Sequence, residues 1–265
     1  MLNDPSAAKV RRVSRLSQKD ARSETGLFLL EGPQGLKEAT AFPELIDEIF
    51  ATESALSALS QQFVVLEKSG VPVSVVSEAA LKSMSDTSTP QGVIAVCRQL
   101  DVDLDELLET KPRLIAFLAN VRDPGNAGTV LRAADAAGAD AVIISDNSVD
   151  LYNPKLVRST AGSIFHVPVV VGAPIEATVA ALKQAGIQVF AATAAGERLP
   201  LAPEVLAEPT AWMFGNEAWG LEPESIALAD KEVAVPIYGD AESLNLATAA
   251  SICLYASAFV QNVAG

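Results

Sequence analysis

Two hydrophobic rhythms divide the chain. From Leu114 onward short apolar runs recur: "LIAFLA", "AVIIS", "HVPVVV", "QVFAAT", "TAWMFG" and "EVAVPIY". They are apolar throughout rather than alternating, as strands covered on both faces are. Between them "GTVLRAADAAG", "KLVRSTAGS", "IEATVAALKQAG" and "PESIALAD" have helical spacing, and Gly138 and Gly186 stand where a helix ends in a left-handed residue. The pattern predicts an α/β fold, a parallel sheet with helices on both sides. The earlier part of the chain is mixed. "GLFLLEG" reads as a strand ended by Gly32, and "PQGLKEATAF" as a helix with Pro33 in its first turn. "IDEIFAT", "QQFVVLEKSG", "VPVSVVS" and "GVIAVCRQ" then alternate strand-like and helical stretches, giving a small α/β unit. "DVDLDELLETKPR" is an acidic connector with a short helix, and it places the boundary between domains of residues 1–106 and 107–265. No internal repeat or low-complexity segment interrupts either part.

Composition narrows the class. Nearly half of the 265 residues are hydrophobic, enough for large cores. No apolar run has the length of a membrane span, and the basic N-terminal stretch has no apolar segment after it, so no membrane partner and no secretory signal are expected. Cys97 and Cys253 both lie in apolar runs and read as core residues rather than a disulfide, which fits a reducing cytoplasm. Two cysteines and one histidine do not make a standard zinc site, so no metal is expected.

The formal charge of −14 argues, taken alone, against a nucleic-acid partner. Its distribution changes that picture. Lys9, Arg11, Arg12, Arg15, Lys19 and Arg22 face only Asp4 and Asp20 within the first 22 residues. This arm reads either as a solvated helix face or as a phosphate-binding segment.

Three loops follow strands of the parallel sheet, where ligands bind in such folds. The first is "NVRDPGNAGTVLRAADAAGA". Pro124 and Gly125 suit a turn, Gly128 a close backbone approach, and Asn126 a cap for a helix beginning near Thr129. Arg132 then falls in the first turn, where the helix dipole disfavours a cation, so an anion is expected beside it. The plainer reading is a βα turn with a surface arginine. The second loop is "FGNEAWGLEPE", with Glu217 between Gly215 and Gly220 and with Pro223 opening a helix. Its carboxylate either holds an arginine or steadies its own loop. The third, "VPIYGDAESLNLATAASICLYASAF", has Ser243 as the cap of an apolar helix and Asn245 as an amide on a face that reads as buried.

Together these residues resemble the SpoU (TrmH-like) branch of the SPOUT superfamily of RNA 2′-O-ribose methyltransferases. The resemblance rests on Asn120, "DPGNAG" and Arg132, then "GNEAWGL", then Pro236 with "SLNLATAA", in that order across about 150 residues. "GLFLLEGPQGLKEA" is similar to the L30-like RNA-binding extension of that family. The resemblance implies a SPOUT domain tied in a deep trefoil knot, which strand patterns do not suggest. It implies S-adenosylmethionine as cofactor, held near Thr193, Gly215, Asn216, Val235, Ile237 and Leu244. It implies a homodimer acting on RNA, with "NPKLVRSTAGSIFHVPV" placing Arg158 and Ser159 beside the site; the local excess of positive charge makes Arg11, Arg12, Arg15 and Arg22 the expected RNA-binding arm.

The catalytic set implied is Asn126, Arg132, Glu217, Ser243 and Asn245. A guanidinium holds its proton at neutral pH. Arg132 is therefore expected to grip the phosphate beside the target ribose and to stabilise the developing alkoxide, with a phosphate oxygen or the arginine itself taking the proton. Glu217 would orient Arg132 or the loop, while Asn126, Ser243 and Asn245 fix the nucleotide and the backbone by hydrogen bonds. The expected substrate is large-subunit (23S) rRNA, with a tRNA enzyme and a non-catalytic RNA- or ribosome-binding protein as alternatives. A dinucleotide-dependent oxidoreductase would use the glycine loop and Asp146, but the G-x-G-x-x-G spacing is absent. A Ser-His-Asp hydrolase would need His166, which reads as a structural residue opening a strand.

Overall fold

A computed structural model describes residues 2–262. They pack as two units, residues 2–100 with Asp150–Phe165, and Asp101–Val149 with residues 166–262.

The first unit runs α1 (Ala8–Ser14), α2 (Lys19–Thr25), β1 (Leu27–Glu31), α3 (Pro33–Ala39), β2 (Ile46–Ala51), α4 (Glu53–Ala58), α5 (Ser60–Lys68), β3 (Val73–Val75), α6 (Glu78–Met84) and β4 (Val93–Arg98). Its sheet has the order β1-β4-β2-β3, antiparallel except for the β2–β3 pair. The basic N-terminal stretch is no loose arm. Val10 and Val13 stand three residues apart on α1 and bury with Leu81 and Met84 of α6 against Leu29, Phe50 and Ile94. Arg11, Arg12 and Arg15 stay exposed on the other side.

Arg22 departs from the expected RNA-binding set. It is 3% exposed, donates to the Leu16 carbonyl at 2.8 Å and is ion-paired with Asp150. A guanidinium held this way is a structural group. Arg22→Ala should lower the unfolding free energy by about 3–5 kcal/mol, because it strands a partly buried carboxylate. Urea titration of the purified protein measures this; a change under about 0.5 kcal/mol contradicts it.

The second unit continues with α7 (Leu104–Glu109), β5 (Leu114–Leu118), α8 (Pro124–Ala136) and β6 (Ala141–Ser145). The chain then supplies α9 (Pro154–Ser159) to the first unit. It returns as β7 (Val169–Ala173), α10 (Ile175–Gln184), β8 (Gln188–Arg198), α11 (Pro203–Leu206), β9 (Thr210–Phe214), α12 (Pro223–Leu228), β10 (Lys231–Ala234) and α13 (Leu246–Gln261). The sheet order is β10-β8-β9-β5-β6-β7, and every pair is parallel. All five residues of β5, β6 and β9 are buried, which is why these runs do not alternate. Trp212 on β9 is fully buried and donates its indole N–H to Ser257 of α13 at 2.9 Å. That bond satisfies the one polar atom of the indole and fixes the final helix on the sheet.

Packing does not follow the boundary expected from the connector. The Leu100 amide donates to the Tyr152 hydroxyl at 2.7 Å, and the Tyr152 ring lies 5.0 Å from that of Phe28, so residues 150–165 belong with the first unit. The Val102 amide already donates to the Val169 carbonyl in the second sheet. His166 precedes its strand rather than opening it, and its Nδ1 lies 2.9 Å from a carboxylate oxygen of Asp135. Both cysteines are free and buried, as expected; burial pushes the Cys97 thiol up and that of Cys253 up to about 12. Among the described residues no helix is long and apolar enough to cross a membrane, and no group of three or more His, Cys, Asp or Glu side chains could hold a metal.

Candidate active site

The candidate site lies in the second unit, where the chain leaves β5, β9 and β10. Asn120 ends the first strand in a left-handed conformation, φ +58°. Its amide donates to Ser145 Oγ at 2.9 Å and its carbonyl accepts from Asn216 Nδ2 at 2.8 Å. Its own Oδ1 is buried without a partner among the described residues. An asparagine held at positive φ with an orphaned acceptor is a strained position, of the kind that clusters at binding sites.

The helix after this loop begins earlier than expected. Asp123 is its N-cap, accepting from the Asn126 amide at 2.8 Å, and Pro124 is its first residue. Asn126 is therefore inside the helix, and Arg132 is its ninth residue instead of lying in the first turn. The dipole argument for an anion at Arg132 fails with that placement, because the field fades beyond the first turn. Another observation keeps the arginine of interest. Arg132 is exposed and makes no hydrogen bond or ion pair among the described residues, in a chain where carboxylates outnumber lysines and arginines 33 to 19.

Asn126 is the hub. Its Oδ1 accepts from Asn245 Nδ2 at 2.9 Å, and its Nδ2 points to Glu217 Oε1 at 3.5 Å. Glu217 also accepts from the backbone amides of Arg122 at 3.3 Å and Asp123 at 3.1 Å. One residue from each of the three loops is thus joined in a single polar chain. Of the two roles open to Glu217, the geometry selects the loop: its carboxylate is engaged by amides, and no ion pair to Arg132 forms among the described residues.

The third loop also corrects the sequence reading. Ser243 does not cap the last helix. Asn245 does, its Oδ1 accepting from the amides of Ala247 at 2.9 Å and Thr248 at 3.3 Å. Nor is Asn245 buried; it is exposed, with both its side-chain oxygen and its side-chain nitrogen hydrogen-bonded. Ser243 is exposed on the wall of the adjoining cavity.

That cavity has a volume of about 490 Å³, within the range of small-molecule sites. Thr193, Gly215, Asn216, Val235, Ile237 and Leu244, named above as candidate cofactor contacts, all line it. Glu217 and Glu242 on the same wall suit a cationic ligand, and the valine, isoleucine and leucine suit the faces of a base. Gly215 permits the geometry: a Cβ there would stand 2.2 Å from the Gly220 carbonyl carbon. The residues present therefore fit a nucleoside sulfonium.

Arg158 and Ser159 fall in the first unit. Arg158 is paired with Glu31 and Asp86, each at 2.9 Å, and Ser159 Oγ donates to the Lys155 carbonyl. Sequence reasoning missed Asp123 and Arg122. The first was signalled by Asp-Pro, a frequent N-cap and first helical position. Arg122 carried no signal; only the fold places its guanidinium 5.3 Å from the Trp219 ring centre.

This architecture has known counterparts. Residues 113–255 match the SpoU rRNA Methylase family, and residues 7–95 match the MRM3-like substrate binding domain. The chain is 36% identical over 247 residues to the 23S rRNA (guanosine(2553)-2′-O)-methyltransferase RlmP of Bacillus subtilis, covering 93% of this chain and 94% of that one. An S-adenosylmethionine-bound rRNA methyltransferase from Sinorhizobium meliloti superposes with a TM-score of 0.82 at 28% identity, covering 97% and 96% of the two chains. The SpoU methyltransferase AviRb from Streptomyces viridochromogenes, in complex with the same cofactor, gives 0.81 at 27% identity over 98% of this chain and all of that one (100%). The fold and site define a SPOUT-type RNA 2′-O-methyltransferase. The chain belongs to the SpoU rRNA methylase family, whose members depend on S-adenosylmethionine.

Proposed function

We propose that this chain methylates a ribose 2′-hydroxyl of large-subunit (23S) rRNA, with S-adenosylmethionine bound in the 490 Å³ cavity. The observation that carries the reading is the joining of Asn126, Glu217 and Asn245 beside that cavity, with Arg132, unpartnered among the described residues, on the same helix as Asn126. The preference for rRNA over tRNA rests on relatives that share both units and are named as rRNA enzymes.

The cofactor supplies a methyl group already activated on sulfonium. Backbone at Gly215, Val235 and Leu244 would hold it, with Glu217 and Glu242 balancing its charge. Arg132 grips the phosphate next to the target ribose and stabilises the oxyanion as the 2′-hydroxyl loses its proton to a phosphate oxygen. Asn126 and Asn245 keep the loops in register, so that nucleophile and methyl carbon meet in line. Ser243, exposed on the cavity wall, is a hydrogen-bonding group for the nucleotide.

In the first unit Arg11, Arg12 and Arg15 are the exposed cations for the RNA backbone, and affinity should fall steeply with salt. The second unit is read as trefoil-knotted, in keeping with its six-stranded parallel sheet. It is also read as one half of a homodimer, in keeping with Ile252 and Phe259 exposed on α13. Buried reduced thiols suit the cytoplasm.

Ribose-methylation mapping of total RNA from cells with and without the protein tests the reading. One 2′-O-methyl mark in 23S rRNA should vanish with the protein and return on incubation with purified protein and cofactor. Loss of a tRNA mark, or of none, overturns it.

A further inference from the structure

We propose that Trp219 is the stacking platform for an unstacked base of the RNA substrate, and that Arg122 closes the opposite face of its indole. This rests on the methyltransferase reading given above and adds a substrate-recognising residue to it.

The loop that carries Trp219 is closed by its own hydrogen bonds. Asn216 and Gly220 exchange two backbone hydrogen bonds, both 2.8 Å, and Asn216 Oδ1 accepts from the Ala218 amide at 2.9 Å. Gly220 turns the chain at φ +76°, and the Gly220 backbone lies directly against Gly215. An indole at position 219 is therefore displayed by a closed turn. It remains 52% exposed, whereas Trp212, the other tryptophan of the chain, is fully buried.

Its neighbours say what it faces. The Arg122 guanidinium carbon lies 5.3 Å from the indole centre, a cation–π pair that covers one ring face. The Arg122 amide is bonded to Glu217, so the pair is anchored to the polar chain of the site. Trp219 also lines the cavity proposed above for the cofactor. An exposed aromatic face beside a guanidinium is the chemistry that holds splayed-out RNA bases, through stacking, with the cation drawn to the adjoining phosphate. The cofactor's adenine is the competing occupant. Val235 and Leu244, both half-buried in the cavity lining, already offer apolar cover for it, whereas Trp219 is 52% exposed.

The test uses the full-length protein and rRNA purified from cells lacking it. Wild-type methylation of that rRNA is measured first; its absence sinks the functional reading and, with it, this one. If wild type is active, Trp219→Ala should raise the KM for rRNA by about tenfold or more, while S-adenosylmethionine affinity stays within about twofold. Trp219→Phe should restore most of the loss, which a purely steric role of the loop would not predict. With tryptophan excited selectively, wild-type emission should quench as rRNA is added, and Trp219→Phe should lose that quench while buried Trp212 still emits. Three results overturn the proposal: unchanged KM, a parallel loss of cofactor affinity with rRNA binding intact, or emission that follows protein concentration and ignores RNA.

Discussion

Arg132→Ala should abolish methyl transfer and leave cofactor binding intact. The expected loss in kcat is on the order of 100-fold or more, the scale on which removal of one oxyanion-stabilising donor is felt. The affinity for S-adenosylmethionine should change by less than about twofold, since Arg132 does not line the cavity. Stability should hardly move either, because the side chain is exposed and unpartnered among the described residues. Arg132→Lys should recover only part of the activity: it keeps the charge but not the planar fork that grips two phosphate oxygens at once. Single-turnover methylation with saturating rRNA, together with cofactor titration, separates these effects. Near-normal turnover of the alanine variant removes Arg132 from the mechanism.

Gly215→Ala should do the reverse. The new methyl group would sit 2.2 Å from the Gly220 carbonyl carbon and 2.3 Å from the Leu221 nitrogen, both backbone atoms in a closed turn. One strand end or the turn must move by about an ångström, and every cavity wall built on that loop moves with it. Affinity for S-adenosylmethionine should fall at least about tenfold, with a lower Tm, since overpacking typically costs about 1–3 kcal/mol. Calorimetric titration and thermal unfolding measure the two. A variant that binds the cofactor as wild type does would show that the backbone contact at Gly215 has no part in shaping the pocket.

The sequence made the sheet legible because burial on both faces leaves uninterrupted apolar runs, and Leu114–Leu118, Ala141–Ser145 and Thr210–Phe214 are such strands. Helix ends marked by glycine were equally plain: Gly138 and Gly186 both adopt positive φ. Helix starts were harder. Asp-Pro-Gly-Asn offered a turn or a cap with equal local logic, and only the bond from Asp123 to the Asn126 amide decides it. Asn245 read as buried because its helix is so apolar, yet a cap stands outside the helical turn and escapes that environment. Arg22 shows the same limit from the other side. In the sequence it is one more cation of a basic stretch, and its burial depends on Asp150, which lies 128 positions away. The residues joined at the site were legible as three loops; which atom bonds to which was not, because that depends on where the turns close.

The bond from Asn245 to Asn126 spans 119 positions of the chain. The same side chain caps the last helix through its Oδ1, so one residue fixes both the clasp and the helix start. A chain translated only as far as β10 has every strand of both sheets, yet lacks the amide that joins its three loops. The loops that frame the proposed site are therefore joined late in synthesis, after every strand on which they stand.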